Sequence, residues 1–289
     1  MHTMDKILFG DNQFFAVNHM SEEKARAQAM KFKDTRSIIR VLDSAYDVGV
    51  TTFMCTTHDR IEEICDHVRA NRKRYKDFKF YPCMPYAHKY ADAVTELGMM
   101  GALQSFLQGS NIFTLLLQGG MAAAKLDAIE TMKVLVDMEM KMFKDLQTPV
   151  IFMQNVIVDL LLGLGYKQIF KEYQLYINKR YDAEAGFITM NLPLLTNVLD
   201  EVGVKDPIVC SNINKIGFRM CGGIDEYKRI LREKKIRAIA MSIFASGAIH
   251  PQEAIEYVCG IEGVQSIVFG ASSSGNIQNT KELIESYWR

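Results

Sequence analysis

Eight short runs rich in β-branched and aromatic residues recur along the chain, each followed by a stretch with helical character. They cover residues 6–10, 50–55, 79–83, 149–155, 186–190, 207–211, 237–243 and 266–270. A strand pattern that repeatedly gives way to a 3.6-residue period is the sequence mark of parallel βαβ units. Four of the intervening stretches read clearly as amphipathic helices: Thr35–Asp47, residues 194–202, Ile224–Glu233 and residues 251–258. The last opens with Pro251, whose fixed φ suits a first helical turn. Eight such units predict an α/β fold, a (β/α)8 TIM barrel, spanning residues 1–289 as one domain. Barrels of this kind routinely occupy about 250 residues as a single unit, so the length forces no division.

Residues 91–146, between strands three and four, hold more chain than a crossover needs. Within them residues 112–117 (IFTLLL) are apolar enough to form a ninth strand. The neighbouring DAIETMKVLVDMEMKMFKDL has helical apolar spacing, however, and the stretch is read as a helical insertion with residues 112–117 outside the sheet. Met132, Met138, Met140 and Met142 read as flexible filler of a core or an interface. The insertion is a candidate partner surface or homodimer interface.

Lys plus Arg number 34 and Asp plus Glu number 34, so no excess field collects nucleic acid or anionic lipid. The basic run 71–76 reads as the solvated end of a helix. No apolar stretch reaches the ~18 residues of a membrane span, and residues 1–6 lack a signal pattern; the expected location is the cytoplasm. Cys55, Cys65, Cys83, Cys210, Cys221 and Cys259 are scattered without a CxxC pair, so reduced thiols are expected. Cys55, His58, Cys83 and His88 carry zinc-type atoms at adjacent strand ends, but their spacing matches no established ligand pattern, and no metal is expected. Walker, Rossmann and nucleophile-elbow motifs are absent from the sequence.

In such barrels the ligand site is built from the loops that follow the strands. Strand one leads to Asp11, Asn12 and Gln13, strand two to Thr56, Thr57, His58 and Asp59, and strand three to Pro85 and Tyr86. Strand four leads to Gln154 and Asn155, strand five to Thr189 and Asn191, and strand six to Asn212, Asn214 and Lys215. Asp11, His58, Asp59, Tyr86 and Lys215 are the candidates for proton transfer or, for Lys215, anion contact or Schiff-base chemistry. The bland readings stand beside them: a turn cap for Asp11, a loop histidine, a solvated lysine.

The loops after strands seven and eight consist of small residues, Ala245-Ser246-Gly247 and Gly270-Ala271-Ser272-Ser273-Ser274-Gly275-Asn276. Small side chains let backbone N–H groups approach an anion, and these two loops form the recurrent phosphate site of the fold. Ser246, Gly247, Gly270, Ala271, Ser272, Ser273 and Asn276 are therefore assigned to a phosphate-bearing small molecule.

The segments AMSIFASG (240–247), AIEYV (254–258) and SIVFGASS (266–273), with Asn276 and Asn279 beyond, resemble the aldo-keto reductase superfamily. VLDSAYDVGVTTF (41–53) is similar to that family's lead into strand two, so the resemblance covers roughly the first and last thirds of the chain. It implies NADP(H) held by its phosphates at the last two loops, and an oxidoreductase activity. It also implies a departure, because that family's Asp, Tyr, Lys and His are not retained at the matching strand ends. Met54 falls where the Asp belongs, His58 or Asp59 near the place of the Tyr, Cys83-Met84-Pro85 where the Lys is expected, and Gln154 in place of the His. The expectation is an atypical nicotinamide-linked enzyme. The alternatives are a non-redox lyase, isomerase or epimerase acting on a phosphorylated metabolite, or a non-catalytic cofactor-binding protein.

Overall fold

The computed structural model describes residues 3–15, 22–86 and 121–288. Eight parallel strands close into a barrel in sequence order. They are β1 (Ile7–Gly10), β2 (Thr52–Thr56), β3 (Lys79–Met84), β4 (Val150–Met153), β5 (Glu184–Thr189), β6 (Ile208–Asn212), β7 (Arg237–Met241) and β8 (Val264–Phe269). β1 pairs with β2 on one side and with β8 on the other, which closes the ring. All eight predicted runs are strands, their bounds displaced by at most two residues.

Among the described residues the α-helices are α1 (Glu22–Lys31), α2 (Thr35–Asp47), α3 (Asp59–Ala70), α4 (Met121–Met140), α5 (Asn155–Gly163), α6 (Gln168–Tyr181), α7 (Leu192–Glu201), α8 (Ile224–Glu233), α9 (Pro251–Cys259) and α10 (Ser274–Tyr287). α4 lies in the predicted helical insertion, whereas residues 112–117 fall outside the described residues. One boundary is corrected: the fourth run does not extend to Asn155. Gln154 makes the last ladder bond, its N–H donating to the Met84 carbonyl at 3.0 Å. Its own carbonyl then accepts from Ile157 and Val158, which turns the chain into the unanticipated helix α5.

The strand alternation divides the core in two. Leu8, Met54, Tyr81, Cys83, Phe152 and Ile239 point into the barrel, while their neighbours Phe9, Phe53, Met84 and Ile151 pack outward under the helices. Phe152 fits inside because Gly186 on the adjacent strand has no side chain; a Cβ there would lie 2.3 Å from the Phe152 ring. Phe9, Phe14, Phe32, Phe53 and Phe80 form a chain of ring contacts, with neighbouring centroids 4.9–6.4 Å apart. That aromatic chain clamps the short 3-10 turn Asn12–Phe14, and so fixes the residues that emerge from β1. Among the described residues no helix is long and apolar enough to cross a membrane.

Candidate active site

At the C-terminal ends of β1, β2 and β3, three of the predicted residues draw together. Asp11 is buried, and its Oδ2 accepts two hydrogen bonds from Thr56, one from the backbone N–H and one from the hydroxyl, both at 2.7 Å. Burial raises its pKa above the ordinary carboxylate value, although the Thr56 bonds oppose the shift. The carboxyl therefore keeps a proton to higher pH than a solvated aspartate does.

His58 caps α3, its Nδ1 accepting from the Arg60 N–H at 3.1 Å. That bond places the proton of the neutral imidazole on Nε2. The ring stacks on Phe15 with centroids 4.2 Å apart and planes inclined by 12°. Arg60 covers the same phenylalanine at 5.1 Å and donates to the carbonyls of Phe14 and Phe32, stapling the β1 loop to α3. Asp59 is the first residue of α3 and exposed, where its charge suits the helix N-terminus.

Tyr86 joins the two ends of this group. Its ring centroid is 6.0 Å from that of His58. Its phenol pKa is raised by burial first and by the nearby Asp11 carboxylate second, with Asp59 adding and Arg60 opposing. Buried Cys55 and Cys83 lie in the same field, and burial with the Asp11 charge holds both thiols far from ionisation. They behave as small apolar residues. Among the described residues no three His, Cys, Asp or Glu side chains are grouped to hold a metal, and His88 of the zinc-type set lies outside those residues.

Lys215 stands apart from this group. Its ammonium pairs with Glu253 on α9 at 2.7 Å on the exposed surface, and that partner raises its pKa. The polar residues after β5 and β6 are engaged in holding loops. Asn191 caps α7 through the Leu194 N–H at 3.2 Å, Asn212 donates to the Arg219 carbonyl, and Asn214 bonds the Phe218 N–H and carbonyl.

Across the mouth, the β7 loop holds Ser242, Ala245 and Ser246 at φ of 54°, 45° and 59°. Three non-glycine residues in left-handed conformation within five positions store backbone strain, which clusters at ligand sites. Beside it, the β8 loop runs into α10, where the Ser273 hydroxyl accepts from the Asn276 N–H at 3.4 Å. The first-turn N–H groups of a helix have no partner inside it and attract an anion. Lys31 adds a cation at this loop, its Nζ donating to the Ser272 carbonyl at 2.5 Å.

Gly270 opens the β8 loop against Gln13, and a Cβ there would lie 2.2 Å from Gln13 Oε1. Gln13 Nε2 donates to the Gly10 carbonyl at 2.8 Å, but the buried Oε1 has no hydrogen-bond partner. An orphaned acceptor beside a helix N-terminus is an arrangement that can take a ligand carrying both phosphate and donor groups. Ser246, Gly247, Gly270, Ala271, Ser272, Ser273 and Asn276 thus line two adjacent loops, since β7 and β8 are neighbours.

Glu139 was not singled out from the sequence. It is buried in the last turn of α4; its carboxylate accepts from the Thr57 hydroxyl and from the Tyr86 N–H, the latter at 3.1 and 3.2 Å. The signal was present, because Met132, Val136 and Glu139 fall at spacings of four and three, putting an acid on the apolar face.

No protein-family model matches the chain, and no curated protein matches it. Solved structures do. An aldo/keto reductase from Brucella melitensis is 10% identical, with a TM-score of 0.54 over 98% of this chain and 90% of that one. Aldose reductase from Giardia lamblia is 10% identical, with a TM-score of 0.54 over 99% and 88%. A mutant of Gox0644 in complex with NADPH is 10% identical, with a TM-score of 0.53 over 99% and 90%. At such identities the likeness is one of fold, carried through the whole barrel.

Proposed function

We propose that this chain is a divergent member of the aldo-keto reductase superfamily, an oxidoreductase whose barrel holds NADP(H) by its phosphates at the β7 and β8 loops. The observation that carries the reading is the pair of adjacent loops, one strained into left-handed backbone and the other leading from Gly270 to the capped start of α10. The full-length fold likeness to an aldo/keto reductase and to a Gox0644 mutant solved with NADPH supports it. The buried, partnerless Gln13 Oε1 at the same edge supports a ligand that also donates hydrogen bonds.

A bound nicotinamide would supply hydride transfer. The chain's part is to bind, to shield and to manage protons. Asp11, fixed by Thr56 and holding its proton to raised pH, and His58, with its neutral-form proton on Nε2, are the proton donors in this reading. Tyr86 stands beside the His58 ring, and burial keeps its phenol neutral. Cys83-Met84-Pro85 stands where the family's lysine is expected, so in this reading proton donation passes to the carboxyl and the imidazole. The substrate is a small molecule, and the cytoplasm remains the proposed location.

The buried Asp11 carboxyl favours one second reading: a non-redox lyase, isomerase or epimerase that uses the same phosphate loops. Calorimetric titration with NADPH, NADH and a panel of sugar phosphates separates the two. NADPH binding, weakened in Ser272→Glu by about 5- to 150-fold (on the order of 1–3 kcal/mol), is the expected result. Binding of sugar phosphates with no response to either nucleotide would replace the redox reading with the second. Nucleotide binding indifferent to Ser272→Glu would remove the phosphate from this loop.

A further inference from the structure

The insertion between β3 and β4 contributes more than bulk to this end of the barrel. α4 ends beside the mouth, and there a single carboxylate joins two strand ends. Glu139 accepts from the hydroxyl of Thr57, the residue immediately before His58, and from the backbone N–H of Tyr86. Thr57 is completely buried and Glu139 nearly so. A buried carboxylate is costly to desolvate and persists where its oxygens are hydrogen-bonded. A contact serving only to hold a helix on a barrel would be apolar, as it is at the neighbouring Met132, Val136 and Met140.

The placement of the bonds is what assigns the role. Thr57 follows the end of β2, and Tyr86 lies two residues beyond β3. Fixing the Tyr86 N–H sets where its ring stands, and fixing Thr57 sets the start of α3 and with it the cap His58. Glu139 therefore holds both segments that carry the Tyr86 and His58 rings, whose centroids stand 6.0 Å apart. The geometry points to Glu139 as a positioning residue that aligns Tyr86 with His58, making the insertion helix an integral part of the site. The assignment rests on the placing of Tyr86 and His58 in the active site, proposed above, and not on which cofactor binds.

The test is nuclear magnetic resonance on protein selectively labelled at histidine and tyrosine, with signals assigned by their loss in His58→Gln and Tyr86→Phe. The wild-type chain should show a cross-peak between the two rings. Glu139→Ala should weaken it severalfold, and Glu139→Gln, which still accepts from the Tyr86 N–H and can bond Thr57, should restore it. A cross-peak of undiminished intensity in Glu139→Ala, with only a lower melting temperature, would make Glu139 a packing residue and overturn the inference. Should Glu139→Ala not fold, Thr57→Val is read instead: a weakened cross-peak supports the assignment, and an unchanged one refutes it. A wild-type chain that binds neither NADPH nor NADH would end the redox reading and leave this result untouched. Full turnover in His58→Ala would instead remove the site assignment on which it rests.

Discussion

Asp11 ties stability to the proposed chemistry in one side chain. Its folded-state pKa lies above the unfolded value of 3.8, so between the two the folded chain binds more protons than the unfolded one. Its favourable contribution is complete below pH 3.8 and is lost as pH rises through the folded pKa. Asp11→Asn keeps an oxygen for the two Thr56 donors and removes the titration. The variant should melt higher than wild type at neutral pH, and the gap should close as pH falls toward 4. Thermal melts across that range check it; a gap independent of pH would mean that Asp11 does not titrate on unfolding. Once a substrate is in hand, Asp11→Asn and His58→Ala should each lower turnover by about 100- to 10,000-fold, the usual worth of a positioned proton donor. His58→Ala also loses a helix cap, so its melting temperature should drop by the equivalent of about 1 kcal/mol. Full activity in both would shift the proton-transfer role to Tyr86.

At the scale of the element, β4 and β5 depend on one missing side chain. Gly186 admits the Phe152 ring to the barrel interior, and Gly186→Ala would bring a Cβ to 2.3 Å from it. Overpacking of that kind typically costs 1–3 kcal/mol, measurable by chemical denaturation, and a variant as stable as wild type would show that Phe152 has room to turn. The sequence exposed the elements through periodicity and exposed their ends less well. Residues 149–155 read as one strand because Val150, Ile151, Phe152 and Met153 are followed by more apolar residues. The chain turns at Gln154 because β3 offers its last acceptor there, the Met84 carbonyl, a fact about a neighbour 70 residues away. Glu139 was legible only as an acid on an apolar helix face, since its partners Thr57 and Tyr86 come from two other segments.

Across the whole molecule the barrel separates its tasks between two ends. At the N-terminal end Arg237 on β7 pairs with Glu184 on β5 and, at 3.2 Å, with Asp206, tying three consecutive strands together. Arg237→Met leaves the partly buried Glu184 and the more exposed Asp206 without their cation and should cost about 1–2 kcal/mol, between the values for exposed and buried pairs. Because the candidate ligand loops lie at the other end, NADPH affinity should stay within about twofold, in keeping with the division of stability and function between barrel faces. A melting curve and a titration on the same sample check both halves. A large loss of affinity would mean that the two ends are coupled.

The sequence by itself determined the number and order of strands, the parallel barrel, the helical character of the described part of the insertion and the small-residue loops after β7 and β8. These are set by local pattern: side-chain period, β-branching, and the absence of bulk where backbone must approach a ligand. It also named Asp11, His58 and Tyr86, because residues just past a strand end must face the barrel mouth. Only the tertiary structure decided which of the candidates meet. It sent Lys215 to a surface ion pair with Glu253, engaged Asn212 and Asn214 in holding a loop, and brought Glu139 from the insertion to Tyr86 and Thr57. Those outcomes depend on distances between segments remote in the chain, set when the barrel closes and its helices pack. No period or spacing along the sequence records them.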